Sequence, residues 1–462
     1  MNKQGAHTSI FFPVSGKAWK QRIQYELDGA DYNEHMLRES SDGIKTKPFY
    51  THEDLPENFN LNTQDNQPFH IGIEVFCNNS KMSVEKALWS FEKGCDQVKF
   101  LVQENIENPL DLTKQIPKNK SLNFELQKAN SKQLKNFIGH LNTDLIKSCR
   151  IQLDPISQFF TTGNWWSNQQ EDLDLVCQLV SLSQNPRLLI DTRSIESAGA
   201  SISQQLAYAL AHAHEYILLL SEKKLLDRVQ TFEFIFNTRS SDFFMEISKL
   251  KAFEILWDNL KKLYQFNTPF ELSTQPSKID QTLFQNNHNL IRNTSSLMAG
   301  ILGNCHNLYG LAFDHIHKKS HPYSDRLSIN QMLILKHECG LSGTKDPVIG
   351  SFAIAHIAFE IAEKALSIFK STEANGGLIA GLKNNSIQKA IHLQFEKQME
   401  LYRSGKRSLL GANLLFEMEG LTFEKYPFLR IDKRKTLIAP IVPKRYATYF
   451  EQKALKDLDE NQ

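Results

Sequence analysis

Between residues 187 and 221 the chain reads RLLIDTRSIESAGASISQQLAYALAHAHEYILLLS, and its apolar positions change period part-way along. Leu188, Leu189 and Ile190 form a short apolar run, a polar turn follows, and Ala198, Gly199 and Ala200 make a small-residue step. From there Ile202, Leu206, Leu210, Ala213, Ile217 and Leu220 recur every three or four positions, which predicts a long helix with one buried face. The same change repeats along most of the chain. Apolar or β-branched runs fall at residues 70–76, 98–102, 150–153, 188–190, 232–236, 270–273, 308–313 and, more weakly, 348–354. The amphipathic stretches that follow them are 84–93, 132–141, 173–182, 202–220, 243–263, 289–302, 326–337 and 355–370. Eight strand-plus-helix units in series predict an α/β chain folded as a (β/α)8 TIM barrel; an open doubly wound sheet shares the local pattern, so the count decides.

The pattern also divides the chain into an N-terminal arm and linker (1–68), the barrel (69–372), and a C-terminal helical extension and tail (373–462). The arm predicts a short helix over 19–25, an extended stretch over 42–51 and a polar linker over 58–67. So few apolar residues imply that it lies on another surface, its own core's or a partner's. Two more helices are expected near 387–401 and 410–418. Beyond them Lys433, Arg434, Lys435, Lys444 and Arg445 stand among prolines and read as a solvated tail or docking arm.

Charge narrows the function classes. Fifty-three Lys and Arg against 52 Asp and Glu in 462 residues give no global field for nucleic acid or an anionic membrane. Cys77, Cys95, Cys149, Cys177, Cys305 and Cys339 are scattered without a C-x-x-C pair, as small buried residues of a reducing compartment would be. No apolar run is long enough to span a bilayer, and the first residues, MNKQGAHTSIFFPVSG, lack the layout of a secretory signal. A soluble cytoplasmic protein is expected.

Candidate chemistry starts where a barrel keeps its reactive groups, just after a strand. Here those residues are Asp191, Thr192, Arg193 and Ser194. No metal site is expected: His212 and His214 diverge on a helix, and His317 and His321 enclose two lysines and precede Pro322. Gly376 to Lys383 (GGLIAGLK) has no Gly-Lys-Ser/Thr and reads as a turn. Trp165 and Trp166 on a polar loop suit either a contact surface or the chain's own core. There is no G-x-S-x-G elbow.

Several motifs in order resemble the methylmalonyl-CoA mutase family. Asp42-Gly43-Ile44 through Tyr50-Thr51 is similar to E-G-I-x-x-K-P-x-Y-T. Phe243 to Ala252 with Leu256-Trp257 is similar to F-x-x-E-I-A-K-L-R-A…L-W. Asn289 to Thr294, with Gly303 and Phe313-Asp314, is similar to N-x-I-R-x-T…G-G…F-D. Asp346-Pro347…Gly350-Ser351-Phe352 resembles D-P-W-G-G-S-Y, and Gly376-Gly377 resembles the family's Met-Gly-Gly turn. In that family an adenosylcobalamin-derived radical rearranges a CoA thioester inside the barrel.

The departures fall on chemistry. Within the family's S-G-Y-H-x-x-E-A-G-A, Arg193 replaces the Tyr and Ser194 the His that hydrogen-bonds the thioester carbonyl. Gly411-Ala412-Asn413-Leu414 resembles G-V-N-K, with Leu414 in place of the active-site Lys. Ser273-Thr274-Gln275 stands near a substrate-contact segment, T-S-G-W-S. The channel-lining G-x-x-P-x-T-R-G stretch and any D-x-H-x-x-G are missing. The resemblance therefore implies a non-catalytic small subunit without a cobalamin-binding domain, its Arg193, Ser194 and Leu414 degenerate and neither cofactor nor metal bound. Adenosylcobalamin is then expected on a large, catalytic partner subunit, with no nucleic acid or membrane as partner. The alternatives are a barrel enzyme with its own chemistry at Arg193 and Ser194, or an acyl-CoA-binding module.

Overall fold

The computed structural model describes residues 14–57, 59, 68–103, 113, 115–117, 119–141, 149–342, 346–418, 420, 423–428 and 434–459. Eight parallel strands form the core: β1 (His70–Cys77), β2 (Gln97–Val102), β3 (Ser121–Leu126), β4 (Cys149–Gln152), β5 (Arg187–Asp191), β6 (Thr231–Thr238), β7 (Phe270–Pro276) and β8 (Asn307–Tyr309). Their order in the sheet is β4-β3-β2-β1-β8-β7-β6-β5. The first and last strands pair, Gly72 opposite Tyr309, so the sheet rolls round on itself. Among the described residues no ladder joins β4 to β5, and the barrel keeps one open seam.

Helices surround the sheet: α1 (Ser80–Glu92), α2 (Ser131–Leu141), α3 (Pro155–Thr162), α4 (Gln169–Leu182), α5 (Arg193–Ser197), α6 (Ile202–Glu222), α7 (Phe243–Tyr264), α8 (His288–Leu302), α9 (Pro322–Leu333) and α10 (Phe352–Ala374). After them come α11 (Gly377–Lys383), α12 (Ser386–Arg403) and α13 (Thr448–Asp459). The outward residues of β6 show why the layers hold. The Phe234 ring lies 4.5 Å from that of Phe253 and 4.8 Å from that of Trp257, and all three side chains are fully buried. Each such side chain contributes roughly 1.5–3 kcal/mol by leaving water.

Eight strands are present, but one is not where the pattern placed it. Residues 348–354 form a turn into α10, whose first turn is capped by Ser351, its hydroxyl accepting from the amide of Ile354 at 3.3 Å. The missing strand is β3, where Leu122, Phe124 and Leu126 alternate with Asn123 and Glu125 and every one of them is buried. Residues 410–418 are likewise not helical: Gly411 donates to the carbonyl of Leu414 in a tight turn.

The arm lies on the barrel's own helices. Its helix, Gly16–Glu26, buries no residue, but the motif that follows is anchored. The carboxylate of Asp42 accepts from the amides of Ile202 (3.1 Å) and Ser203 (2.8 Å), the unsatisfied donors at the start of α6. The expected linker falls, apart from residue 59, outside the described residues. Of the two readings of the basic tail, the docking arm is the one found and the solvated tail is not; Lys433 lies outside the described residues. Backbone amides of Leu437, Ile441, Lys444 and Tyr446 donate to carbonyls of Gly163, Phe160, Ser197 and Ile279 in turn, drawing residues 434–447 as a strap across the barrel mouth. Its own Ile438, Ile441, Tyr446 and Ala447 are buried against the barrel, which outweighs the polar character of the segment.

Candidate functional site

The strands β1 to β8 point their alternate residues inward, and in this chain those residues are polar. Asn123 donates to Gln97 (3.0 Å), Gln97 to Asn307 (2.8 Å), Asn307 to Ser273 (3.1 Å) and Ser273 to Glu233 (2.6 Å). Gln152 closes on the other oxygen of Glu233, so a hydrogen-bonded girdle links six strands across the axis. Lys99 stands inside it, 3.4 Å from Glu233, 3.8 Å from Glu125 and 5.1 Å above the Tyr309 ring. Gly72 makes room: a Cβ there would lie 2.8 Å from the Tyr309 ring and 2.9 Å from Gln97. A TIM-barrel interior is commonly filled by branched aliphatic residues. Here it is filled by charges and amides.

Above the girdle, at the C-terminal ends of the strands, lies a cavity of about 290 Å³ roofed in part by Pro443 of the strap. Arg193, the first residue of α5, crosses it. Its Nε and Nη2 grip Asp191 (3.0 and 2.6 Å), while Nη1 donates to Glu74 of β1 (2.6 Å) and Gln275 of β7 (3.1 Å). Burial alone would raise both carboxyl pKa values, but the guanidinium beside them holds Asp191 and Glu74 below the ordinary range. Burial would likewise depress Arg193, and the two carboxylates raise it well above its usual value instead. All three guanidinium nitrogens are already engaged by the protein, which leaves Arg193 poorly placed to receive a substrate carboxylate.

Ser194 sits at the wall, its Oγ 3.1 Å from Oγ1 of Thr161 on α3. Gln275, at the end of β7, joins Arg193 in one cluster, as described above. Leu414 does not: it is 45% exposed and is not part of the cavity wall. The seam between β4 and β5 is bridged by Asp154, whose Oδ2 accepts from the amide of Asp191 (2.9 Å) and whose Oδ1 accepts from Tyr216 (2.7 Å) and faces His212 Nε2 (2.9 Å). His212 is thus a structural group. His214 is held between Glu373 and Tyr264, and His321 pairs with Asp314 on the loop before α9. Trp165 stacks on Phe159 at 4.2 Å, in the chain's own core, while Trp166 lines the cavity.

Sequence reasoning passed over Glu74, Lys99, Glu125, Asp154 and Lys278, all at or near the cavity. The signal was present for the first two: a single charged residue inside an otherwise apolar strand, HIGIEVFC and QVKFLV.

The motifs quoted for the family resemblance contact one another. Asn289 donates to the carbonyl of Phe313 (3.0 Å), and Lys251 of α7 pairs with Asp346 (2.5 Å) in a fully buried contact. The family profile described as methylmalonyl-CoA mutase matches residues 141–451, more than half of the chain. The chain belongs to the methylmalonyl-CoA mutase family. It is 26% identical to the methylmalonyl-CoA mutase small subunit of Porphyromonas gingivalis, over 88% of this chain and 70% of that one. It is 27% identical to the methylmalonyl-CoA mutase of Rhizobium meliloti and 25% to that of Escherichia coli, over 52% and 57% of this chain. Those alignments span only 36% and 38% of the two mutases, so the chain matches little more than a third of each. Among solved structures, a dihydropteroate synthetase is similar at 8% identity, covering 61% of this chain and 100% of that one, with a TM-score of 0.33, too low to argue from.

Arg193 and Ser194, singled out at the strand end in the sequence, both line the cavity. Among the described residues no helix is long and apolar enough to cross a membrane, and no three His, Cys, Asp or Glu side chains gather as metal ligands would.

Proposed function

We propose that this chain is the non-catalytic small subunit of a heterodimeric, adenosylcobalamin-dependent methylmalonyl-CoA mutase. Isomerisation between methylmalonyl-CoA and succinyl-CoA is then the work of a catalytic large subunit. The observation that carries this reading is the Arg193 clamp. A chain that rearranges an acyl-CoA thioester needs an open barrel mouth and a donor aimed at the thioester carbonyl. Here Arg193 is bound across the mouth to Asp191, Glu74 and Gln275, and the girdle beneath it fills the axis. Ser194, where the family resemblance places a histidine donor, is short and lies against Thr161.

Two further points support the reading. The cavity, at about 290 Å³, is at the small end for any ligand pocket and far too small for a CoA thioester. The relative from Porphyromonas gingivalis is itself named a small subunit, which fits a large-subunit partner. Adenosylcobalamin supplies the radical chemistry when bound, and on this reading it belongs to the large subunit. A cytoplasmic location belongs to the same proposal, in keeping with six free cysteines. Co-expression with a large subunit of the family, followed by size-exclusion chromatography, tests it. One peak containing both chains in equal amounts is expected, with no turnover from this chain alone; two independent peaks would overturn the proposal.

A further inference from the structure

The strap is fixed at two ends and crosses the mouth lightly attached between them. At one end Ile438 and Ile441 are buried in the main core, and the amides of Leu437 and Ile438 donate to the carbonyl of Gly163 at 2.9 and 3.2 Å. Gly163 has φ +81°, and a Cβ there would lie 2.7 Å from the carbonyl oxygen of Ile438, so the two backbones are fitted closely together. At the other end Tyr446 donates to the carbonyl of Ile279 at 2.9 Å. Its buried ring lies 5.3 Å from that of Phe395 and 4.8 Å from that of Tyr402.

The four residues between these ends, Val442 to Arg445, are held differently. Backbone N–H groups of a packed segment are ordinarily paired. Pro443 has none, and the amides of Val442 and Arg445 meet no acceptor among the described residues. One backbone bond remains, from Lys444 to the carbonyl of Ser197 at 2.7 Å. None of the four side chains is buried, and Pro443, which roofs part of the cavity, is exposed.

A single side chain ties the span down. Arg445 Nη1 and Nη2 donate to the two oxygens of Glu451, in the first turn of α13, at 3.0 and 2.8 Å. Nη1 also donates to the carbonyl of Gln281 at 3.1 Å. Glu451 is fully buried and accepts from the amide of Leu283 at 2.7 Å as well, so it is a fixed post. A two-pronged arginine–carboxylate contact of this kind is strong, but it is made or broken as one unit.

We propose that residues 442–445 are a lid on the mouth cavity, latched by Arg445 on Glu451, which opens while the two ends of the strap and the barrel stay folded. Lifting it breaks one backbone bond and the latch, takes Pro443 out of the roof and uncovers the Ser197 end of α5. Local opening is drawn from segments with few buried contacts and few backbone bonds, and this span has both properties. The inference does not rest on the subunit reading, because it concerns the isolated chain and requires no turnover.

Hydrogen exchange of the full chain, with single amides resolved by electron-transfer fragmentation, tests it. The amides of Ile441, Lys444 and Tyr446 are all bonded to barrel carbonyls, at 2.7, 2.7 and 2.9 Å. Lys444 is nevertheless expected to be at least about tenfold less protected than the other two, because it alone lies in the lid. Glu451→Gln and Arg445→Lys each weaken the latch while keeping a polar group in place. Each should lower the protection of Lys444 by about a further tenfold and leave the amides of β6 unchanged. The comparison within the parent chain needs no variant. Equal protection of Ile441, Lys444 and Tyr446 there would overturn the lid, since the strap would then open only as a whole. A Lys444 amide unaffected by both substitutions would overturn the latch.

Discussion

Replacing Arg193 by Ala removes the cation that bridges Asp191 and Glu74 at the barrel mouth, and the cost is open to an estimate. The side chains of the three residues are 15–17% exposed, so both carboxylates would be stranded in a largely desolvated site. Breaking a buried pair by removing one partner costs about 3–5 kcal/mol. Partial exposure and the nearby Lys99 place Arg193→Ala near the lower end, about 3 kcal/mol. The pH dependence carries the sharper test. In the parent chain Asp191 and Glu74 have lowered pKa values, so their stabilising contribution is present above the unfolded carboxylate pKa and is lost as pH falls through the folded one. Without Arg193 the burial that opposes ionisation prevails, and protonation relieves the penalty. The difference between the two proteins in urea unfolding should therefore be large at pH 8 and shrink towards pH 5. Adding Glu74→Gln and Asp191→Asn to Arg193→Ala should recover at least half of the loss at pH 8. A deficit below about 1 kcal/mol, well under the cost of breaking a buried pair, or one that is equal at both pH values, would refute the clamp as the organiser of the mouth.

Three other outcomes are expected. Burial raises Glu125 from 4.5 to about 7, so its favourable protonated state is present at low pH and lost as pH rises through 7. Glu125→Gln should flatten the stability–pH profile between pH 5 and 8 by up to about 3 kcal/mol, measured by denaturant titration. Gly199→Ala should destabilise by about 3 kcal/mol in the same assay, because φ is +106° there and the new Cβ would sit 2.6 Å from the Cβ of Phe395 on α12. Asp42→Ala removes the acceptor for two amides of α6 and should cost about 1 kcal/mol, with faster proteolysis within the arm as the direct readout.

The barrel was legible because strand and helix periods are local properties. The long α6, with Ile202, Leu206, Leu210, Ala213, Ile217 and Leu220 all buried, follows the sequence pattern closely. The β3 strand escaped because both of its faces are buried, its inward face being polar: Asn123 and Glu125 look like surface residues until the girdle that satisfies them is seen. Residues 348–354 misled for the opposite reason, since β-branched propensity there gave way to the cap that Ser351 provides for α10.

By itself the sequence determined the class of fold, through eight repeated changes of period, and located Arg193 and Ser194 at a strand end. Which groups those residues meet was decided only in the tertiary structure. Asp191 is two residues from Arg193, but Glu74 is 119 residues away and Gln275 is 82, brought together because a rolled sheet points the ends of distant strands at one axis. The fate of the basic tail was decided the same way. Its charges and prolines left a solvated tail and a docking arm both open, and the carbonyls exposed at the barrel mouth decided for docking, as a strap.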